Sequence, residues 1–242
     1  MPVASAIAPR PEAPKPKAST LPKVLQLILM LALWIASGFV AAGRLSWARG
    51  WICIGAMLGT YAVGGVLVWR RNPAVLKARV DWRHEDTKPF DRVFIALTYP
   101  IFMALPIVAG LDAVRYRWSP LPVGTVYLGL VLLELGMAMM MWTLMVNPFA
   151  ERTVRIQTER NQTVVTTGPY RIVRHPMYVG ALALFPGMGL IFGSGWAVGI
   201  GALFDVLLVW RTAMEDRLLR RELPGYEEFA AVTRYRLLPG VW

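Results

Sequence analysis

The feature that most constrains this chain is a series of six long apolar runs separated by short blocks of charge. Of its 242 residues, 56% are hydrophobic and only 17% are charged, which is rare for a soluble domain because such a domain needs a polar surface over its core. A helix that crosses a bilayer needs about 20 apolar residues. The sequence therefore predicts an all-α, polytopic membrane protein with about six transmembrane helices.

The apolar runs divide the chain into three regions. Residues 1–20 are rich in Pro, Ala and Lys and predict a disordered tail. Four transmembrane helices are expected within residues 21–146, and a helical hairpin with a C-terminal cytosolic segment within residues 147–242. The six helices are placed near residues 23–42, 50–69, 92–111, 121–146, 178–192 and 196–213.

The basic residues predict the orientation of the chain in the membrane. With six spans, the connections on one side carry 22 Lys and Arg residues and those on the other side carry 4. Basic connections stay in the cytoplasm, so we expect both termini there, in a cytoplasmic or bacterial inner membrane. The external loops are too short to hold a site, so a soluble cosubstrate would be met from the cytosol.

Composition also argues against several classes of function. The net charge of +11 is spread over several connections and forms no single stripe, so nucleic-acid binding is not expected, whereas anionic membrane lipid explains the same charge. The single Cys53 lies in an apolar run and cannot form a disulfide within the chain. The two histidines, His84 and His175, are far apart and have no cysteine pair near them, so no metal site is expected.

The segment GPYRIVRHPMYVG is unusually polar and aromatic for its place before an apolar hairpin. Pro176 is suited to the first position of a helix, and the free N–H groups there favour an anion. Arg174 and His175 stand just before it, while Tyr170 and Tyr178 offer faces for a planar ring or a cation. These residues fit a ligand site, and they equally fit a basic anchor in the aromatic belt of the membrane surface.

The sixth helix carries charged groups where it leaves the membrane. Arg211 and Glu215 are four residues apart and share one helix face, and Asp216 follows. The helix is expected to run to about Glu222, so a carboxylate can face the cationic pair before the fifth helix. Ordinary pairing at a solvated helix end is the alternative interpretation.

Together, GPYRIVRHPMYVG and EDRLLRRELPGYEEFAAVTRYRLLPGVW resemble the C-terminal half of the isoprenylcysteine carboxyl methyltransferase and phospholipid methyltransferase family. The family pattern is roughly G-x-Y-x-x-x-R-H-P-x-Y-x-G, a hairpin, E-E-x-x-L, a Gly with acidic residues and an aromatic, and a terminal L-x-P. The matching residues are Tyr170, Arg174, His175, Pro176, Tyr178, Gly180, Glu215, Leu218, Gly225, Tyr226, Leu238 and Pro239. The resemblance covers residues 147–242; residues 21–146 match only as generic apolar helices.

The resemblance implies an integral membrane methyltransferase that uses S-adenosylmethionine, with residues 147–242 as its catalytic region. The implied partners are membrane lipids and a lipophilic or lipidated acceptor from the bilayer: an isoprenylcysteine-like carboxylate, a lipid amine or a small thiol. The residues implied to bind the cofactor are Tyr170, His175, Pro176, Tyr178, Glu215 and Asp216. Those implied to be catalytic are Arg174, His175, Arg211 and Glu215.

The acceptor decides which residues would carry the chemistry. An ionised carboxylate needs no base and would be held by an arginine such as Arg174 or Arg211. An amine or a thiol must lose a proton, which favours His175 or Glu215 as a general base. The sequence leaves these cases open.

The chain departs from the family pattern at two places. The second acidic position is Asp216, and Asn161 and Gln162 stand where many relatives have a histidine. Two other functions also fit: a sterol-reductase-like membrane enzyme using NADPH, and a non-enzymatic membrane carrier. The reductases have a Trp-rich run before the motif, where this chain has TVVTTGPY.

Three further polar residues have either a functional or a packing interpretation. Glu134 and Asp205 lie within predicted transmembrane helices, where an ionisable group is costly and often functional. His84 lies in the cytosolic connection 70–92 and is expected to cap that face of the protein.

Overall fold

The computed structural model describes residues 20–80 and 84–242, and those residues form helices and loops with no β-strand. The predicted tail, residues 1–20, lies outside the described residues except for its last position. The helices are α1 (Thr20–Ala42), α2 (Ala48–Arg71), α3 (Pro73–Val80), α4 (Pro89–Gly110), α5 (Thr125–Val146), α6 (Pro176–Phe192), α7 (Gly195–Glu222) and α8 (Tyr226–Val232).

The predicted fold class is confirmed. Among the described residues, five helices are long and apolar enough to cross a membrane: α1, α2, α5, α7, and α4 with the π-helical turns Leu111–Tyr116 that continue it. Helix α6 is a shorter apolar helix. The chain is therefore an integral, multi-pass membrane protein. The side that carries the Lys- and Arg-rich connections is called the basic side below.

Two elements differ from the sequence expectation. Helix α3 forms inside the stretch predicted as a loop, and it begins at Pro73, a residue that suits the first position of a helix. The fourth long helix, α5, begins at Thr125 rather than at residue 121, after a short loop. Neither difference changes the number of apolar helices.

Helices α6 and α7 form the predicted hairpin. Gly193 ends α6 with a φ of 82°, a left-handed conformation that favours glycine, and Ser194 caps α7 by accepting a hydrogen bond from the Ala197 amide at 2.9 Å. Helix α6 has 17 residues and α7 has 28, so at 1.5 Å per residue they are about 26 Å and 42 Å long. Helix α7 therefore extends well beyond the start of α6 on the basic side.

Helix α6 is held against α5 by glycines. A Cβ atom on Gly136 would lie 2.5 Å from the Gly180 carbonyl oxygen, and one on Gly129 would lie 2.7 Å from the Gly187 carbonyl oxygen. Only glycine permits this approach, and small residues at helix contacts are a general way to pack membrane helices closely. The two contacts fix the depth of α6 relative to α5.

The turn of the hairpin lies at the end of the protein opposite the basic side, and the buried carboxylate of Asp112 stabilises it. Asp112, in the π-helical turns after α4, accepts hydrogen bonds from the Ser194 hydroxyl at 2.5 Å and the Ser119 amide at 2.6 Å. The Trp196 amide adds a third contact at 3.3 Å. Asp112 is fully buried, so these donors satisfy a charge that would otherwise be costly.

Arg49, at the start of α2, also stabilises this end of the hairpin. The Arg49 guanidinium donates to the carbonyl oxygens of Leu190 and Ile191 at 2.8 Å and to that of Leu121 at 2.9 Å. It also donates to the Thr125 hydroxyl at 2.7 Å. These bonds join α2, the end of α6 and the start of α5.

Candidate functional site

A pocket opens on the basic side, between the start of α6, the overhanging end of α7, α8 and the loop from residue 147 to 165. It contains about 840 Å³ of empty space, part of which is open to solvent. The sequence-predicted site residues that line it are Tyr170, Arg174, His175, Pro176, Tyr178, Arg211 and Glu215. The structure thus brings all but one of those residues, Asp216, to one pocket.

The centre of the pocket is a contact between the two arms of the hairpin. The Tyr178 hydroxyl donates a hydrogen bond to Oε2 of Glu215, and the His175 ring lies parallel to the Tyr178 ring with 5.7 Å between centres. Glu215 is half-buried, so its other oxygen can accept from a ligand. The arrangement places a carboxylate beside two flat rings.

Asp216, by contrast, lies behind the pocket wall and is fully buried. Its Oδ1 accepts from Arg174 Nε at 2.7 Å and from the Tyr226 hydroxyl at 3.1 Å. Its Oδ2 accepts from Arg236 Nε at 2.9 Å and from Arg220 Nε at 3.3 Å. The acidic position where the chain departs from the family pattern is therefore the centre of an ion-pair cluster that joins α7 to the segment before α6.

The C-terminal segment is attached to the same place. The backbone amides of Arg174 and His175 donate to the carbonyl oxygens of Tyr235 at 2.9 Å and Arg236 at 3.0 Å. A side-chain nitrogen of Arg174 also donates to the Thr233 carbonyl oxygen at 2.8 Å. Because its guanidinium is occupied by these bonds and by Asp216, Arg174 has little capacity left for a ligand.

Arg211 is held by an acid that the sequence interpretation missed. Its Nε donates to Asp91 Oδ1 at 2.7 Å, and the second Asp91 oxygen accepts from the Val154 amide at 2.8 Å. The Arg211 guanidinium carbon lies 5.2 Å from the centre of the Tyr178 ring, within cation–π range. The only local signal for Asp91 is an acidic residue in the first turn of α4, a common position for charge without function.

Tyr170 faces the pocket beside the end of α5. Its hydroxyl accepts a hydrogen bond from the Asn147 side chain at 2.5 Å. Burial raises the pKa of Tyr170 well above its usual value, so the hydroxyl stays protonated and has a proton to donate.

A second missed group, Glu151, lines the pocket from the loop after α5. Arg155 donates to its two oxygens at 2.8 and 3.1 Å, and these bonds raise the pKa of Arg155. His84 lies 3.5 Å from the same carboxylate and outside the pocket. Gln162, at the other departure from the family pattern, lines the pocket while its side-chain oxygen accepts from the Gln157 amide at 2.8 Å.

The two intramembrane acids lie away from this pocket. Glu134 of α5 accepts a hydrogen bond from the Thr60 hydroxyl of α2 at 2.5 Å. Asp205 of α7 is half-buried, and one of its oxygens is buried without a hydrogen-bond partner. Within the described residues, no three His, Cys, Asp or Glu side chains come together as a possible metal site.

The region around the pocket is similar to known proteins. Residues 125–224 match the family model described as phospholipid methyltransferase. The suspected family is confirmed for this part of the chain. The match begins at α5 and ends just after α7, so it includes the glycine contacts, the hairpin and most of the pocket. Residues 125–224 are thus similar to a family of membrane methyltransferases.

Two curated bacterial proteins are similar to part of the chain. The cobalt-zinc-cadmium resistance protein CzcN of Cupriavidus metallidurans is 38% identical over 81 residues, which cover 32% of this chain and 37% of that protein. The nickel-cobalt-cadmium resistance protein NccN of Alcaligenes xylosoxydans xylosoxydans is 34% identical over 79 residues, with the same coverage. The chain spans about a third of the length of the relatives it matches, and neither relative's name states a reaction.

Proposed function

We propose that this protein transfers a methyl group from S-adenosylmethionine to a lipophilic acceptor, in a pocket that opens to the cytosol at the membrane surface. The observation that carries the proposal is the Tyr178–Glu215 contact in the pocket, with the His175 ring stacked on Tyr178. Residues 125–224, which contain this contact, match a methyltransferase family.

The chemistry of the pocket suits the proposed methyl donor. S-adenosylmethionine supplies an activated methyl group on a sulfonium and carries an ammonium, a carboxylate and a purine. Among the described residues only Tyr178 donates to Glu215, at Oε2, which leaves Oε1 for the ammonium, and the Tyr170 ring lines the pocket where a cation can rest on its face. Leu219, Leu223 and Phe229 line the wall nearest α8 and provide apolar contact for a flat ring.

The residues divide between binding and support in this proposal. Tyr170, His175, Pro176, Tyr178 and Glu215 contact the methyl donor. Arg211 is held by Asp91 below the Tyr178 ring and keeps that ring in place. Asp216 supports binding indirectly, because it binds Arg174 and thereby fixes the turn that leads into α6.

The reacting groups need alignment and exclusion of water more than acid–base help. Helix α6 starts deeper than the end of α7, so a ligand in the pocket lies against α8 and the 147–165 loop, and in this proposal the acceptor approaches it from the bilayer. For an amine or thiol acceptor, His175 is the base. Its Nε2 lies 3.4 Å from both Asp216 Oδ1 and the Tyr226 hydroxyl, so it has nearby groups that orient its ring.

The test is calorimetric binding of S-adenosylhomocysteine to detergent-purified protein. Wild type should bind, and Glu215→Gln should bind about tenfold or more weakly, because a charged hydrogen bond is worth about 1.5–3 kcal/mol. Glu228→Gln is the matched control: Glu228 is exposed on α8, on the same side of the membrane, and should not affect binding.

Three outcomes would contradict the proposal. Wild type that fails to bind S-adenosylhomocysteine but binds NADPH would favour the reductase, and binding of neither would favour the carrier. Equal loss of binding in Glu215→Gln and Glu228→Gln would place the ligand outside this pocket.

A further inference from the structure

Two arginines beside the pocket have no carboxylate partner among the residues that the structure describes. Arg79, at the end of α3, donates from one nitrogen to the carbonyl oxygens of Ala150 at 2.9 Å and Glu151 at 3.2 Å. The same nitrogen lies 3.8 Å from the sulfur of Met177, in the first turn of α6. Arg152 follows in the same loop, and its side chain is exposed and makes no hydrogen bond with any described residue.

Three other arginines around the pocket are paired. Asp91 holds Arg211, Asp216 holds Arg174, and Glu151 holds Arg155, each with a shortest nitrogen–oxygen distance of 2.7 or 2.8 Å. For Arg79 and Arg152, the described part of the chain has no carboxylate within ion-pair distance. Their two positive charges are therefore not neutralised by the protein there.

The charge of Arg79 is costly where it lies. Burial, the largest cause, and the nearby charges of Arg152 and Arg211 together lower the pKa of Arg79 to about 10. Cations that lie near each other are stabilised by an anion that binds both.

The position of the pair indicates which side that anion comes from. Arg79 lies on α3, which begins two residues after the end of α2, at the basic end of a membrane-spanning helix. Its side chain contacts the loop that carries Arg152 and the sulfur of Met177 in the first turn of α6. The pair therefore lies next to the bilayer, beside the pocket, and near the start of α6.

We propose that Arg79 and Arg152 bind an oxyanion, a phosphate or a carboxylate, that the lipid acceptor carries close to its methylated group. Guanidinium groups match both anions with paired hydrogen bonds, and two of them can bind one group. The role of this anion as part of the acceptor rests on the proposed methyl transfer. The pair is better placed for it than Arg174 or Arg211, whose guanidinium groups are already occupied.

The experiment measures the rise in melting temperature of detergent-purified protein when a short-chain lipid is added. Four probes separate the sources of the anion: dioctanoyl phosphatidate, octanoate, dioctanoylglycerol and inorganic phosphate. Phosphatidate, octanoate or both should stabilise wild type, whereas the neutral lipid and soluble phosphate should have little effect. The Arg79→Gln/Arg152→Gln variant should lose the response, with affinity reduced about tenfold or more.

Two further variants show whether the lost response is specific to the proposed anion site. Arg70→Gln/Arg71→Gln makes the same charge change at exposed positions at the end of α2, and should respond as wild type does. Arg152→Gln alone removes a side chain that makes no hydrogen bond or ion pair with any described residue, so it should fold normally and still weaken the response.

The proposal is overturned if the double variant responds as wild type does. It is also overturned if inorganic phosphate stabilises as well as the anionic lipids, because the site then serves a soluble anion. Binding of S-adenosylhomocysteine tests the proposed function separately. A protein that binds anionic lipid through these arginines but no S-adenosylhomocysteine would contradict methyl transfer and leave the anion site intact.

Discussion

The two ends of the α6–α7 hairpin use buried acids in different ways. At the turn of the hairpin, opposite the basic side, Asp112 accepts hydrogen bonds from Ser194 and Ser119, and these bonds stabilise the turn. On the basic side, Asp216 is also fully bonded, but the adjacent Glu215 lines an open pocket and accepts a hydrogen bond from the described residues at Oε2 alone. At the turn, the buried acid is fully bonded within the protein. At the basic end, a carboxylate beside the pocket can still accept from a ligand, which is the property expected of a binding site.

Breaking the basic end should have the largest effect. Asp216→Ala leaves the guanidinium groups of Arg174, Arg236 and Arg220 near a buried position without their acid, a change that costs about 3–5 kcal/mol. We expect a strongly lowered melting temperature and loss of S-adenosylhomocysteine binding. Thermal unfolding and calorimetry measure both, and normal binding would show that Asp216 does not support the pocket.

Breaking the opposite end should affect stability alone. Asp112→Ala leaves the Ser194 hydroxyl and the Ser119 amide without their acceptor, which costs about 2 kcal/mol. The same two measurements should show a lower melting temperature and unchanged binding to the folded protein. Weakened binding would mean that the two ends are coupled through the hairpin.

A smaller change should sharpen the contrast within the pocket. Tyr178→Phe removes the donor that holds Glu215, at a cost in stability of about 1 kcal/mol, and should weaken S-adenosylhomocysteine binding several-fold. Tyr127→Phe is the matched control, because Tyr127 is exposed near the other end, at the start of α5. Equal effects of the two variants would argue against a role for the Tyr178 hydroxyl.

The smallest effect is expected midway between the ends. Thr60→Val removes the hydrogen bond to Glu134 between α2 and α5, and such bonds within membranes contribute about 0.6 kcal/mol on average. The melting temperature should fall slightly and binding should not change. Lost binding would assign Glu134 to the functional site after all.

The sequence predicted the helices well because apolar run length and charge are local properties. The hairpin of α6 and α7 follows from residues next to each other in the chain, Pro176 at the start of α6 and Gly193 at its end. Helix α3 was missed because eight residues of mixed character after Arg71 resemble a loop. The orientation of the chain in the membrane stays a prediction.

The site was predicted in part, and the difference has a physical reason. Tyr170, His175, Tyr178 and Glu215 could be grouped from the motif, and the structure brings them to one pocket. Their partners could not be found in the same way, because Asp91 is 120 positions from Arg211 and no local pattern links them. The same limit applies to Asp216, whose expected place on the cofactor depended on which face of α7 meets Arg174.

The short α6 makes the pocket sensitive to the thickness of the surrounding bilayer. Its length of about 26 Å is less than the roughly 30 Å of a typical hydrocarbon core, so one end of the helix is drawn below the lipid head groups. A thinner membrane brings the start of α6 level with the head groups, and a thicker one buries it more deeply. Membrane composition thereby sets how far water, and anything dissolved in it, must reach to arrive at His175.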